Sequence, residues 1–309
     1  MNNDQLIPGL PKNIAHEYIL RIPYNHLSKA AFVCKGWKVE IELPEFLKHR
    51  KAASYSQSII VMVEARVNGN QDCQSAKYPP TPVYGLTVYE PKTGIWSELP
   101  PIPGLSNRLT MFCRLAGLGS DLVVIDGGGH DDDKNALKSV IAYDITKDEW
   151  IQLPDMAQER DQCKVIFHRG KLHVIGGYCT ELQGGFEGSV EAFDFSTWKW
   201  DQVKEDYFGA NMCPKACVAG DNGKLYMYWA SDVATLDKDT LKIVAQLLAE
   251  LGDVTYMTTW QEKLMVIGSS NFGVSHLAYM LDFINYTWTK VESPKEYSGY
   301  VQSSSYLGI

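Results

Sequence analysis

The sequence predicts an all-β propeller of about five blades, closed by its own C-terminal strand and preceded by a small α-helical module. Three observations carry that expectation. Residues 1–50 show helical periodicity punctuated by prolines, and residues 54–309 show an imperfect repeat. The last ten residues read as a strand with no hairpin partner of their own.

The helical module comes first. Pro11 can open a helix, because its missing N–H would be unpaired there in any case. Ile14, Ala15, Tyr18, Ile19 and Ile22 then trace one helical face, and Pro23 stops it. A second helix is expected from near Ser28, with Ala30, Val33, Cys34, Trp37 and Ile41 on its stripe. Gly36 inside that helix costs about 1 kcal/mol relative to Ala. Pro44 ends it, and Glu45-Phe46-Leu47 starts a short third turn. Three short pieces cannot hide this much apolar surface among themselves. Periodicity leaves two readings open: the stripe docks on the propeller, or it faces a separate protein.

From residue 54 onward short apolar strands are divided by turns. One copy of the repeat runs Leu122-Val123-Val124-Ile125-Asp126-Gly127-Gly128, then Val140-Ile141-Ala142-Tyr143-Asp144, then Asp148-Glu149-Trp150. The next runs Leu172-His173-Val174-Ile175-Gly176-Gly177, then Val190-Glu191-Ala192-Phe193-Asp194, then Trp198-Lys199-Trp200. An earlier copy has Val88-Tyr89-Glu90 and Trp96, and later copies decay to Leu236-Asp237 with Val244 and to Gly268, Leu281-Asp282 and Trp288. The closing positions 96, 150, 200, 244 and 288 are spaced 54, 50, 44 and 44 residues apart, giving five blades. This period and these residue types resemble the kelch pattern, one four-stranded blade per repeat. The glycine pair allows a tight turn at a strand end. The Tyr/Phe and Trp supply the aromatic area that fills the wedge between blades.

Blade one starts at its second strand, Ser58 to Val63, with no innermost strand before it. The tail from Gly299 to Gly308 has the look of that missing strand. Pairing it into blade one would close the ring and remove the exposed edges.

Composition narrows the function classes. The 309 residues are 45% apolar and 21% charged, an ordinary globular balance. No apolar run approaches a membrane span, and the N-terminus lacks a basic region leading into an apolar stretch, so no secretory signal is expected. A net charge of −8 without a basic stripe argues against nucleic acid. Seven scattered cysteines, none in Cys-x-x-Cys, fit the cytosol or nucleus.

Chemistry finds little support. His130-Asp131-Asp132-Asp133 offers ligand types, yet consecutive loop residues rarely converge on one ion, so a solvated connection is expected. His168 and His173 flank a hairpin turn and would be held too loosely for a catalytic pair. Gly127-Gly128-Gly129 is followed by neither a Walker nor a dinucleotide pattern, and no nucleophile elbow is present. No catalytic residue, metal or cofactor is expected.

In a four-stranded meander, the second-to-third and fourth-to-first connections emerge on one face. That face receives the longest segments, 66–82, 129–139, 178–189 and 205–214. Long loops on a rigid scaffold are where recognition sits. Candidate target-binding residues there are Arg108, His130, Asp131, Asp132, Asp133, Arg160, Glu181 and Phe186.

The opening residues carry a resemblance. Leu6-Ile7-Pro8-Gly9-Leu10-Pro11, Ile14-Ala15, Arg21-Ile22-Pro23 and Val33-Cys34-Lys35-Gly36-Trp37 resemble an F-box, in the variant found in plant F-box/kelch-repeat proteins. Further stretches, Gly177 to Glu181, Asp194 to Trp200 and Glu296 to Ser303, look like members that direct phenylalanine ammonia-lyase to ubiquitination. Related members target other phenylpropanoid enzymes or cytokinin response regulators. The resemblance implies an F-box over 1–50 that binds a Skp-type adaptor and thereby a cullin-based ubiquitin ligase. It implies a kelch-repeat propeller over 54–309 that holds the target. By position, the implied adaptor-facing residues are Leu10, Pro11, Ile14, Ile19, Ile22, Val33, Cys34 and Trp37. Gly36, Tyr18 and Leu20 depart from the usual pattern. The competing readings are a kelch-propeller enzyme and a kelch scaffold that binds without degrading.

Overall fold

The computed structural model describes residues 5–65, 83–102, 109–125, 129–131, 133–168, 170–185, 187–204, 216–219, 224–237, 240–271 and 273–309. Among these residues four short helices lead into twenty strands arranged as five four-stranded antiparallel sheets, the expected five-bladed propeller.

The helices are α1 (Lys12–Leu20), α2 (Tyr24–Ala31), α3 (Lys35–Ile41) and α4 (Phe46–Ala52). Pro11 and Pro23 stand at the N-caps of α1 and α2, with φ of −56° and −57°. Proline suits that place because its ring fixes φ and no N–H is lost. Pro23 thus both follows the end of α1 and opens α2, so the second helix begins earlier than the expected Ser28. It is also two helices rather than one. Phe32 ends α2, and Cys34 is fully extended at the N-cap of α3 (φ −162°, ψ 164°). Val33 and Cys34 therefore lie in a corner, not on a continuous stripe.

Blade one is built from β1 (Ser58–Ala65), β2 (Tyr84–Glu90), β3 (Ile95–Glu98) and the C-terminal β20 (Val301–Gly308), in the order β20-β1-β2-β3. The tail supplies the innermost strand, antiparallel to β1 from Ser58↔Gly308 to Glu64↔Val301. Blade two is β4 (Arg114–Leu118), β5 (Asp121–Ile125), β6 (Val140–Asp144) and β7 (Glu149–Gln152). Blade three is β8 (Lys164–His168), β9 (Lys171–Ile175), β10 (Val190–Asp194) and β11 (Lys199–Trp200). Blade four is β12 (Cys217–Ala219), β13 (Leu225–Trp229), β14 (Asp232–Asp237) and β15 (Thr240–Gln246). Blade five is β16 (Asp253–Trp260), β17 (Lys263–Ser269), β18 (Leu277–Asp282) and β19 (Trp288–Val291).

The repeated residues have repeated jobs. Tyr89 faces Trp96, Tyr143 faces Trp150 and Phe193 faces Trp200 across the outer hairpins, with ring centroids 4.8, 4.8 and 5.2 Å apart. The Trp200 indole N–H donates to Pro154 O and the Trp288 indole N–H to Gln246 O, each reaching the preceding blade. The following aspartate caps its turn: Asp144 Oδ1 accepts from Thr146 N, Asp194 Oδ1 from Ser196 N and Asp282 Oδ1 from Ile284 N. Close approach of inner strands requires Gly117, where a Cβ would stand 2.2 Å from Tyr306 O.

The chain leaves α4 and begins β1 beside the end of β20, on the face where strands turn back through tight hairpins. One hydrophobic core runs across that junction. It joins Ile19, Leu27, Ile41 and Phe46 of the helices to Ile59, Val61, Val88, Leu122, Tyr143, Leu307 and Ile309 of blades one and two. The helices therefore sit on the short-turn face, opposite the long connections.

Asp121 opens β5 directly across from Asp144 on this short-turn side. Burial, and then the Asp144 charge, push the Asp121 carboxyl up to about 6 from 3.8, against the opposite pull of Lys147. A carboxyl whose folded pKa lies above its unfolded value favours the protonated fold. It costs stability progressively as pH rises from about 4 to 6, and in full at pH 7. Asp121→Asn is expected to stabilise the chain at pH 7 by about 1–2 kcal/mol and to change little at pH 3. Melting curves at the two pH values check this, and a lower melting temperature at pH 7 would refute it.

Candidate functional site

Two surfaces gather the candidate residues, one on the helices and one on the long-loop face.

On the helices, α1 divides its apolar residues between two sides. Ala15, Ile19 and Leu20 are buried, whereas Ile14 and Tyr18, one turn apart, point away from the core, Ile14 at 42% exposure. Ile19 is a correction: it is fully buried in the core shared with the propeller and offers no outward surface. Val33 (63% exposed) and Cys34 are open, as is Pro11, while Leu10, Ile22 and Trp37 are half-buried. Trp37 is held by its indole N–H, which donates to Leu6 O at 2.6 Å. Sequence reasoning did not single out Phe32, the most exposed at 85%, nor Val39 and Leu43. Phe32 stands at the corner between α2 and α3, which a single continuous helix would not contain. The stripe is thus split, with its inner half sealed on the disc and its outer half open.

The helical module as a whole is basic. Residues 5–52 hold eight Lys/Arg against four Asp/Glu, in a chain whose net charge is −8. His16 and Glu40 tie α1 to α3 at 2.7 Å.

On the long-loop face, the connections of blades two and three are laced together. Ala136 N donates to Thr180 Oγ1, Gln183 Nε2 to Lys134 O, and Thr180 N to Glu159 Oε1. His130 is half-buried, bridged to Met111 and Ala136, with its ring against Phe112 at 5.7 Å. Asp131 closes its own turn: Oδ1 accepts from Asp133 N and Asn135 N, and Oδ2 from the Asn135 side chain. Those bonds, the Asn135 side chain first, hold the Asp131 carboxyl below its ordinary range. Asp133 and Glu181 are exposed, Glu181 on a 3-10 turn over Thr180–Leu182.

Arg160 is a second correction. It is 2% exposed and spends its donors inside the blade-two–blade-three junction. Nε donates to Glu191 Oε1 at 3.0 Å, Nη1 to Gly176 O at 2.7 Å and Ser189 Oγ at 3.0 Å, and Nη2 to Gln158 Oε1 at 2.9 Å. Its side chain fastens the connection from blade two onto blade three, and at this burial it offers no outward surface to a ligand. Arg108, Asp132, Phe186 and the segments 66–82 and 205–214 lie outside the described residues.

The long-loop face also holds polar groups that sequence reasoning passed over. Where the inner strands begin, Arg114 donates to Cys163 O and Gln302 O. The Tyr178 hydroxyl donates to Asp161 Oδ2 and accepts from Gln162 Nε2. Burial and these bonds to Asp161 raise the Tyr178 phenol to about 12. Phe112 and Gln162 occupy matching places, each just before a buried cysteine and an inner strand, and each has positive φ (65° and 55°). The paired runs Met111-Phe112-Cys113-Arg114 and Asp161-Gln162-Cys163-Lys164 were the available signal. Among the described residues no three His, Cys, Asp or Glu converge to hold a metal ion, and no helix is long and apolar enough to cross a membrane.

Comparison with known proteins agrees with this architecture. The Kelch motif family matches residues 118–157, and a second Kelch motif family matches residues 159–206. An F-box/kelch-repeat protein of Arabidopsis thaliana is 39% identical, covering 99% of this chain and 100% of the relative. A second from the same plant is 36% identical with the same coverage, and a third is 26% identical over 69% of this chain and 70% of its own length.

Proposed function

Because this chain belongs to the F-box/kelch-repeat proteins, we propose that it is the substrate-recognition subunit of a Skp–cullin–F-box ubiquitin ligase. The observation that carries the reading is the division of surfaces. An open apolar stripe on the helices lies on one face of the disc, and the long loops lie on the other. The helices would dock the Skp-type adaptor through Leu10, Pro11, Ile14, Ile22, Val33, Cys34 and Trp37, with the flanking Phe32. The loops would hold a target protein, with His130, Asp131, Asp133 and Glu181 within the recognising face. The chain would act in the cytosol or nucleus and would contribute no catalytic group. It raises the effective concentration of target lysines near the ubiquitin-charged enzyme.

Truncating a central contact of such an interface costs about 2 kcal/mol or more, roughly thirtyfold in affinity. Ile14→Asp, and Leu10→Ala combined with Pro11→Ala, are expected to weaken adaptor binding at least that much while the propeller melts as before. Titration with a purified Skp-type adaptor measures this, and unchanged affinity would discard the docking assignment. For the target, similarity of three stretches to members acting on phenylalanine ammonia-lyase favours that enzyme or another of phenylpropanoid metabolism. Affinity capture from plant tissue with degradation blocked tests it. Recovery of adaptor and cullin without such an enzyme would keep the mechanism and discard the target.

A further inference from the structure

Arg50, on α4, is 1% exposed, yet it forms no ion pair among the described residues. Its guanidinium sits instead where the helices meet the disc. Nη1 donates to Leu20 O at 2.9 Å and to Ile22 O, both at the corner between α1 and α2. Nη2 donates to Tyr55 O and to Gln57 Oε1, both at 3.2 Å, in the segment leading to β1. Nε has no partner. Burial alone lowers its pKa to about 10.

Gln57 extends the junction in three directions. Its Oε1 also accepts from Tyr24 N, the first residue of α2, at 2.8 Å. Its Nε2 donates to Glu90 Oε1 at the end of β2 at 3.0 Å. Its backbone exchanges two bonds with Ile309, the last residue of the ring-closing tail. Beside it the Tyr55 hydroxyl donates to Glu17 of α1 at 2.6 Å, and Arg21 lies over the Tyr55 ring.

A buried cation without a counter-ion is an expensive way to hold a small fold, and an apolar side chain of similar length would cost less. What the guanidinium supplies is direction: planar donors that reach the α1–α2 corner and the connecting segment at once. We infer that Arg50 is a positioning residue that fixes the angle between the helical unit and the disc. It acts on where the adaptor-bound enzyme meets the disc and its target, and not on the affinity of either surface. The second part of this inference rests on the adaptor reading above, and the first part does not.

The test uses the full-length chain with Arg50→Met, which keeps length and burial and removes the donors. Three measurements are made: hydrogen exchange at the Tyr24 amide, titration with a purified Skp-type adaptor, and mapping of self-ubiquitinated lysines in the reconstituted adaptor–cullin assembly. The expected result is exchange at Tyr24 at least tenfold faster, adaptor affinity within twofold of wild type, and modified lysines spread from one sector of the disc to several. Exchange that does not change would overturn the inference. So would adaptor affinity that falls along with it, because Arg50 would then merely support the helical fold. Should Arg50→Met lose its cooperative melt, Gln57→Ala removes the Tyr24 acceptor and the Glu90 bond from outside the helices, with the same expected readouts. If the wild-type chain fails to bind the adaptor, the function proposal falls, and the exchange measurement still decides the junction.

Discussion

Glu191→Ala is expected to destabilise the chain by about 3–5 kcal/mol, because it leaves the Arg160 guanidinium buried without its counter-charge. Glu191 holds Arg160 Nε with one carboxylate oxygen and Ala157 N with the other, so the substitution orphans two donors at once. The energetic asymmetry is large: a buried pair adds little over an apolar replacement, but half of one is a liability. A fall in melting temperature on the order of 10 °C follows for a chain of this size. The double substitution Glu191→Leu with Arg160→Met should recover much of that loss, since it removes the charge along with its partner. It should not recover all of it, because Gly176 O and Ala157 N lose these partners too. Calorimetry on the three proteins decides the matter. A single variant that melts like wild type would show that the junction between blades two and three does not depend on the pair.

A chain ending at Gly299 is expected to lose its cooperative melt altogether. Removing β20 takes away Val301, Leu307 and Ile309, all buried, and bares the inner edge of β1. It also strips blade two of acceptors: Gln302 Oε1 serves Phe112 N at 2.8 Å and Ser303 Oγ serves Leu115 N at 3.0 Å. The Tyr256 hydroxyl of blade five loses Tyr306 N as well. One strand therefore fastens three blades. Size-exclusion chromatography with a thermal scan checks the outcome. A monomer that melts within about 5 °C of the full chain, a shift of about 3 kcal/mol, would contradict it.

Much of this architecture was legible in the residues. Tyr89, Tyr143 and Phe193, each followed by an acid and then by a Trp at fixed distance, report a local hairpin whose geometry repeats. The unpaired tail could be assigned to blade one because that blade starts at its second strand, with no innermost strand before it. The helical unit was less legible. Pro23 reads equally well as the end of one helix or the first cap of the next, and α2 and α3 share enough periodicity to pass for one helix. Which half of an amphipathic stripe faces the disc depends on the disc, so Ile19 and Ile14 could not be told apart along the chain.

Buried charge was the least legible of all. Arg50 stands in the run Lys48-His49-Arg50-Lys51, and Arg160 in a polar connection, both of which read as solvated. Their acceptors are mostly backbone carbonyls and amide side chains from distant segments, which leave no compositional trace. The position of Arg50 was set by tertiary packing and not by any local pattern.

The closure of blade one has a temporal meaning. Ser58 and Tyr306 share a hydrogen bond across 248 residues of chain, so β1 must wait with an open edge until all the intervening blades have been made. Leu307 and Ile309 belong to the same core that supports Ile19, Leu27 and Phe46 in the helices. The helical module thus gains its full footing from residues made long after it. Synthesis interrupted before β20 would leave the helical module and blade one unfinished together, and such a fragment would meet chaperones and proteases before it could recruit anything.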